Sequence, residues 1–265
     1  MPALPPAARL RAGLGGASLG HSMTRARILG CPVDIVDMHQ AVTRLVDLVE
    51  HREPGAPPAL VVTLNPEMVM LAQRDAGFAA LLEGAALLVP DGIGIVNALR
   101  RRGHPLPGRV TGIDLLHVYA PHAARLGHRL AFCGGAPGVA ARAAQRLSDD
   151  HPGLQIVASD SGDPGSAVAE RLRAAHPDVV CAAYGHGAQE RFVSEHLAAT
   201  GAAVGIGVGG TLDVLAGRVR RAPGVVQQAG LEWAWRLARE PRRLRRQAVL
   251  PVYWWRERRE VGGAR

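Results

Sequence analysis

An α/β fold is predicted: a Rossmann-like parallel sheet flanked by helices, followed by a C-terminal helical appendage that binds a membrane surface. Six short apolar runs recur, at residues 59–64, 86–89, 129–133, 154–158, 178–184 and 203–208. Each is followed by a Gly- or Pro-bearing turn and then a helix-like pattern, the alternation expected of βαβ units around a parallel sheet. From Leu231 the pattern changes to an arginine- and tryptophan-rich helical segment broken at Pro241. The chain thus divides into an N-terminal extension (1–25), an α/β core (26–220) and the appendage (221–265). In the extension Pro2, Pro5, Pro6 and the glycines argue for disorder, and no sustained apolar stretch follows Arg9 and Arg11 to make a secretory signal.

In such sheets ligands bind beyond the carboxyl ends of the strands, so the residues just after each run are the candidates for chemistry. The first run ends in Thr63-Leu64-Asn65-Pro66-Glu67. Thr63 and Asn65 alternate, so both present hydrogen-bonding groups to one side, as suits a sugar; Asn65-Pro66 also reads as the cap and first turn of a helix. The second run ends in Pro90-Asp91-Gly92-Ile93-Gly94. Asp91 there has the exposure and reach of a general base, and it is equally a preferred N-cap for a helix starting near Ile93. Arg109, Thr111 and Asp114 then open a helix over 111–126, with Thr111 as cap and Arg109 as either a phosphate ligand or a solvated surface charge.

Two Gly-rich turns, 132–138 and 205–210, let backbone amides approach a diphosphate. The second resembles a dinucleotide fingerprint imperfectly. The position about twenty residues on holds Gln227 and Gln228 in place of an acidic ribose ligand, which disfavours a nicotinamide-dependent oxidoreductase. Asp213, in the helix that follows, is placed to bond a ribose or base, or simply to complement a helix N-terminus. The fifth run leads into Gly185-His186-Gly187-Ala188-Gln189-Glu190.

Composition narrows the class. Hydrophobic residues make up 48% of the chain and charged residues 20%, as in a globular protein, and no stretch approaches the roughly 20 apolar residues of a membrane span. Lysine is absent. Residues 236–265 carry ten arginines against Glu240, Glu257 and Glu260, a net +7 of the chain's +8, so a nearly neutral body bears a basic tail. All four tryptophans, Trp233, Trp235, Trp254 and Trp255, lie in the last 33 residues with Tyr253 and the arginine cluster and suit a headgroup interface; packing on the body is the alternative, chiefly for Trp233. No nucleic-acid-binding module accompanies the basic tail, so no nucleic-acid partner is expected. Cys31, Cys133 and Cys181 are far apart in apolar segments and fit a reducing compartment. Asp149-Asp150-His151 and Asp160-Ser161-Gly162-Asp163 lack the Asp-x-Asp spacing of metal-dependent transferases, and the eleven histidines show no HExxH, so no metal is expected.

In order, Thr63-x-Asn65-Pro66-Glu67, Pro90-Asp91-Gly92, Arg109-x-x-Gly112-x-Asp114, Gln189-Glu190, Gly207-Val208-Gly209-Gly210, Arg221-Ala222-Pro223, Gly230-Leu231-Glu232-Trp233 and Glu240-Pro241-x-Arg243-Leu244 resemble the WecG/TagA/CpsF family of bacterial glycosyltransferases. The resemblance covers about 28–246. It implies an inverting, metal-independent enzyme with no cofactor beyond a UDP-sugar donor, often UDP-N-acetylmannosamine or its uronic acid. The implied acceptor is an undecaprenyl-diphosphate-linked N-acetylglucosamine, and the implied location is cytoplasmic, peripheral on the inner face of the cell membrane. By motif, Asp91 corresponds to the catalytic base and Arg109 to a phosphate-stabilising residue. Thr63, Asn65 and Gln189 correspond to sugar contacts and Asp213 to a nucleoside contact. Arg236, Arg243 and Arg246, spaced by seven and three residues, share one face if the helix continues past Pro241 and are candidates to clamp the acceptor's diphosphate. The chain departs from the family at Gly187-Ala188, where Pro-Lys is common, at Leu212, and at Val225 and Val226. These departures bear on the identity of the sugar. A catalytically inactive nucleotide-binding membrane adaptor of the same fold is the competing reading, and a homo-oligomer is left open.

Overall fold

The computed structural model describes residues 24–53, 55–239 and 244–263. A hairpin of β1 (Arg25–Ile28) and β2 (Cys31–Asp34) leads into α1 (Met38–Glu50). Then follow β3 (Ala59–Leu64), α2 (Pro66–Ala72), α3 (Ala76–Glu83), β4 (Leu87–Pro90), α4 (Ile93–Arg101) and α5 (Gly112–Leu126). Next come β5 (Arg129–Gly134), α6 (Val139–Asp150), β6 (Gln155–Asp160), α7 (Ser166–Arg173), β7 (Val179–Ala183), α8 (Ala188–Thr200), β8 (Val204–Gly207) and α9 (Thr211–Leu215). The C-terminal segment holds α10 (Gly224–Gln228), α11 (Glu232–Arg239), α12 (Leu244–Gln247) and α13 (Leu250–Gly263). Residues 1–23, most of the expected disordered extension, lie outside the described residues; Arg25 already belongs to β1 and pairs with Asp34 at 2.8 Å.

The six apolar runs become β3 to β8 and form one parallel sheet of order β4-β3-β8-β7-β5-β6. Alternate strand residues feed two cores. Val62, Leu64, Leu88 and Val180 face α2, α3, α4, α7 and α8, while Val61, Val89, Phe132 and Ile206 face α1, α5, α6 and α9. The sheet is therefore covered on both sides, which is why its strands read as continuous apolar runs.

The hairpin was not expected. Its two-residue turn, Leu29-Gly30, has positive φ at both positions (48° and 78°), the twist that a tight hairpin needs. It guards the β4 edge: the buried Asp34 carboxylate accepts from Leu88 N–H at 2.7 Å, and Arg25 donates to the Ala85 carbonyl.

The C-terminal segment folds back onto the core. Tyr253, fully buried, joins the α2/α4 side and donates its hydroxyl to the Gly94 carbonyl at 3.2 Å. Trp254 meets Trp233 edge-on at 5.9 Å, and the buried Glu257 takes ion pairs from Arg101 and Arg102. The expectation that Tyr253-Trp254-Trp255 lies in a headgroup layer is therefore corrected: two of the three rings are packed inward, and only Trp255 is largely exposed.

Candidate active site

A cavity of about 210 Å³ opens at the carboxyl ends of β3, β4, β7 and β8 and is walled on its far side by α11, α12 and the start of α13. Pro90 ends β4, and the Asp91 N–H is tied to the Leu64 carbonyl at 3.0 Å, so the two strand-end loops lie side by side. Gly92, not Asp91, is the N-cap of α4, and no side chain caps that helix end. The capping role is thus excluded. Small residues are required here: a Cβ on Gly92 or Gly94 would stand 2.6 or 2.7 Å from the Pro66 ring, and the one on Gly94 would also crowd Tyr253.

The Asp91 carboxylate lines the cavity and forms no hydrogen bond or ion pair among the described residues. Burial pushes its pKa up to about 7, a rise opposed by Arg109 and Arg236 and assisted by Glu232 and Asp114. Such a carboxyl is poised to accept a proton near neutral pH.

Arg109, Arg221, Arg236 and Arg246 line the same cavity. Arg109 pairs with Glu232 at 3.0 Å, Arg221 holds Asp114 through two hydrogen bonds of 2.7 and 2.6 Å, and Arg246 reaches Glu67 at 3.1 Å. Arg236 also lines the cavity, and His186 stands 3.6 Å from Glu67. Arg243 lies outside the described residues.

Thr63 and Asn65 both line the cavity, each with a local bond. The Thr63 hydroxyl donates to the Gly207 carbonyl at 2.9 Å, and the Asn65 side-chain oxygen caps α2 by accepting from Met68 N–H. Gln189 is buried; it donates to Glu190 at 2.7 Å and accepts from Gly209 N–H at 3.0 Å, pinning the loop after β8. Thr111 caps α5 as expected and also donates to Asp114. Of the two Gly-rich turns only the second reaches the cavity, through Gly209 and Gly210. Asp213 is not among the lining residues and pairs with Arg218 at 3.3 Å. Among the described residues, no three His, Cys, Asp or Glu side chains cluster so as to hold a metal ion.

The model of the glycosyl transferase WecG/TagA/CpsF family matches residues 26–264. The chain belongs to this family. A relative from Bacillus spizizenii strain W23 is 36% identical over 74% of this chain and 77% of its own length. One from Bacillus subtilis strain 168 is 30% identical over 80% of this chain and 84% of its own. Both are named N-acetylglucosaminyldiphosphoundecaprenol N-acetyl-beta-D-mannosaminyltransferase.

For a WecG/TagA/CpsF glycosyltransferase, then, the cavity unites Asp91, Arg109, Thr63, Asn65, Gln189, Arg236 and Arg246 and leaves out Asp213. Sequence reasoning passed over Glu67, His186, Arg221, Glu232 and Trp254 as site residues, although all five line the cavity. Glu67, Arg221 and Glu232 stood inside the quoted motifs. The signal available was that these three motifs each carried a carboxylate or arginine suited to pair with another motif's.

Proposed function

We propose that this chain is an inverting, metal-independent transferase that moves an N-acetylmannosamine-like sugar from a UDP-sugar to an undecaprenyl-diphosphate-linked N-acetylglucosamine, in cell-surface polysaccharide or teichoic acid assembly. The observation that carries the reading is Asp91, a carboxylate that caps no helix, has a pKa raised to about 7 and stands among arginines at the strand ends. Its ionised form takes the proton from the acceptor hydroxyl as that oxygen bonds to the donor's anomeric carbon. The bond from that carbon to the β-phosphate oxygen breaks on the opposite face, and UDP departs with the electron pair. A single displacement inverts the anomeric centre. Arg109, Arg221, Arg236 and Arg246 line the same cavity, and the reading assigns the leaving diphosphate's charge to them.

The same reading has the C-terminal segment meet the cytoplasmic membrane face. It is supported by Val225, Leu244 and Trp255, exposed by 79, 62 and 56%, and by nearby arginines worth about 1 kcal/mol each at an anionic surface. No helix of the described residues is long and apolar enough to cross a membrane.

The test incubates the purified chain with UDP-N-acetylmannosamine and a synthetic polyprenyl-diphosphate N-acetylglucosamine, following UDP release and product mass. Acceptor-dependent UDP release with a gain of one N-acetylhexosamine is expected, unchanged in chelator. UDP binding without transfer to this acceptor from any UDP-sugar would leave a binding protein and remove the proposal.

A further inference from the structure

Asp91 is faced by charge from several elements: Arg109 before α5, Asp114 on α5, and Glu232 and Arg236 on α11. Farther round the wall stand Glu67 on α2, His186 after β7, Arg221 before α10 and Arg246 on α12. Asp114 is committed to Arg221, and Glu67 to Arg246. Arg109, the larger cationic influence on Asp91, is held by Glu232.

That pair is built in rather than incidental. Both side chains are only 16% exposed, and both line the cavity. Glu232 opens α11, whose place is set on both sides. Gly230 turns with φ +71° and approaches Ile93 so closely that a Cβ there would stand 3.0 Å away, while Trp233 packs on Trp254 and the Trp235 indole donates to the Arg220 carbonyl at 3.3 Å.

We propose that Glu232 is a positioning residue for the transfer: by holding Arg109 in an ion pair at the cavity wall, it keeps that guanidinium from fully compensating the Asp91 carboxylate, so that the base has its working strength only while α11 is docked. The inference rests on the reading of Asp91 as the base. Arg109 and Glu232 act on Asp91 with opposite sign, the first lowering and the second raising its proton affinity, against a rise due mainly to burial. Without the Glu232 charge, Arg109 is uncompensated, Asp91 ionises at lower pH, and it is the weaker base.

The experiment compares full-length wild type, Glu232→Gln, Arg109→Gln and the double variant. Two readouts are used: the pH profile of kcat/KM with UDP-N-acetylmannosamine and the lipid-linked acceptor, and carbon-13 titration of the Asp91 carboxyl without substrate. Glu232→Gln is expected to move both midpoints to lower pH and to reduce plateau kcat a few-fold. Arg109→Gln should move them to higher pH, and the double variant should return toward wild type. Glu232→Asp keeps the charge and stays near wild type, which preserves the test if the amide variant folds poorly. An unshifted carboxyl titration in Glu232→Gln, with turnover still dependent on Asp91, overturns the role of Glu232 alone. A titration that shifts while the rate profile does not removes Asp91 as base, and this role with it.

Discussion

At position 91 function and stability pull in opposite directions. An acid whose pKa is raised by folding contributes most to stability below its unfolded value near 3.8, and that contribution is lost as pH rises through about 7. Asp91→Asn should therefore melt at a higher temperature than wild type at pH 8 and show no such gain at pH 3, a comparison made by calorimetry. The same variant should lose about 10² to 10⁴ in kcat while still binding UDP. In the wild type, kcat/KM should fall on the acid side with a midpoint near pH 7 as the carboxyl takes up its proton. Gly207 is a second sensitive position. A Cβ there would lie 2.5 Å from the Glu190 carboxylate and 2.7 Å from the Gln189 amide, the group that pins Gly209. Gly207→Ala should cost about 1–3 kcal/mol in urea unfolding, as overpacking does.

Among the elements, α13 contributes most beyond its expected part. Its inward face sets Tyr253 against Gly94 and presents Glu257, fully buried, to Arg101 and Arg102 on α4 and at its C-terminus. Removing one partner of a buried pair leaves the rest uncompensated; because the arginines are partly solvated here, Glu257→Gln should cost about 1–3 kcal/mol, below the full figure for a dry pair. Tyr253→Phe keeps the ring and loses one hydrogen bond, about 0.5–1.5 kcal/mol. Denaturant midpoints for the two variants check both figures, and the larger effect belongs to Glu257.

At the scale of the whole molecule, the C-terminal segment and the sheet domain share one core and one cavity. Tyr253 is buried in one core with residues that precede 220, Leu250 is buried at the cavity, and Glu232, Arg236, Arg246 and Trp254 complete the cavity wall. Ending the chain after Arg220 removes both sets. The lost burial of two large side chains alone amounts to about 3–6 kcal/mol, so the truncated chain should melt well below the full one. UDP should raise the melting temperature of the full chain more than that of the truncated chain, because the cations that would meet its diphosphate are partly gone; thermal shift with a UDP titration measures both.

All six sheet strands were legible in the sequence because a strand covered on both faces must be apolar throughout, and Gly and Pro mark where it ends. Since an open parallel sheet gathers those ends into one crevice, Thr63, Asn65, Asp91 and Gln189 were legible as neighbours, whereas Arg109, in the loop before α5, was assigned to the site only by the family resemblance. The β1/β2 hairpin was not, for its strands are four residues long and Leu29 carries none of the usual signs of a positive-φ turn. Nor were the ion pairs Arg109–Glu232, Asp114–Arg221 and Glu67–Arg246, whose partners lie more than a hundred residues apart in the chain. Asp213 and Tyr253 mark the same boundary. Each belongs to a helix whose face is chosen by what it packs against: α9 directs Val214, not Asp213, to the cavity, and α13 turns Tyr253 inward. Local pattern determined which segments form strands and which strand ends carry chemistry, whereas the phase of each helix, and so which charges meet, was decided only by tertiary packing.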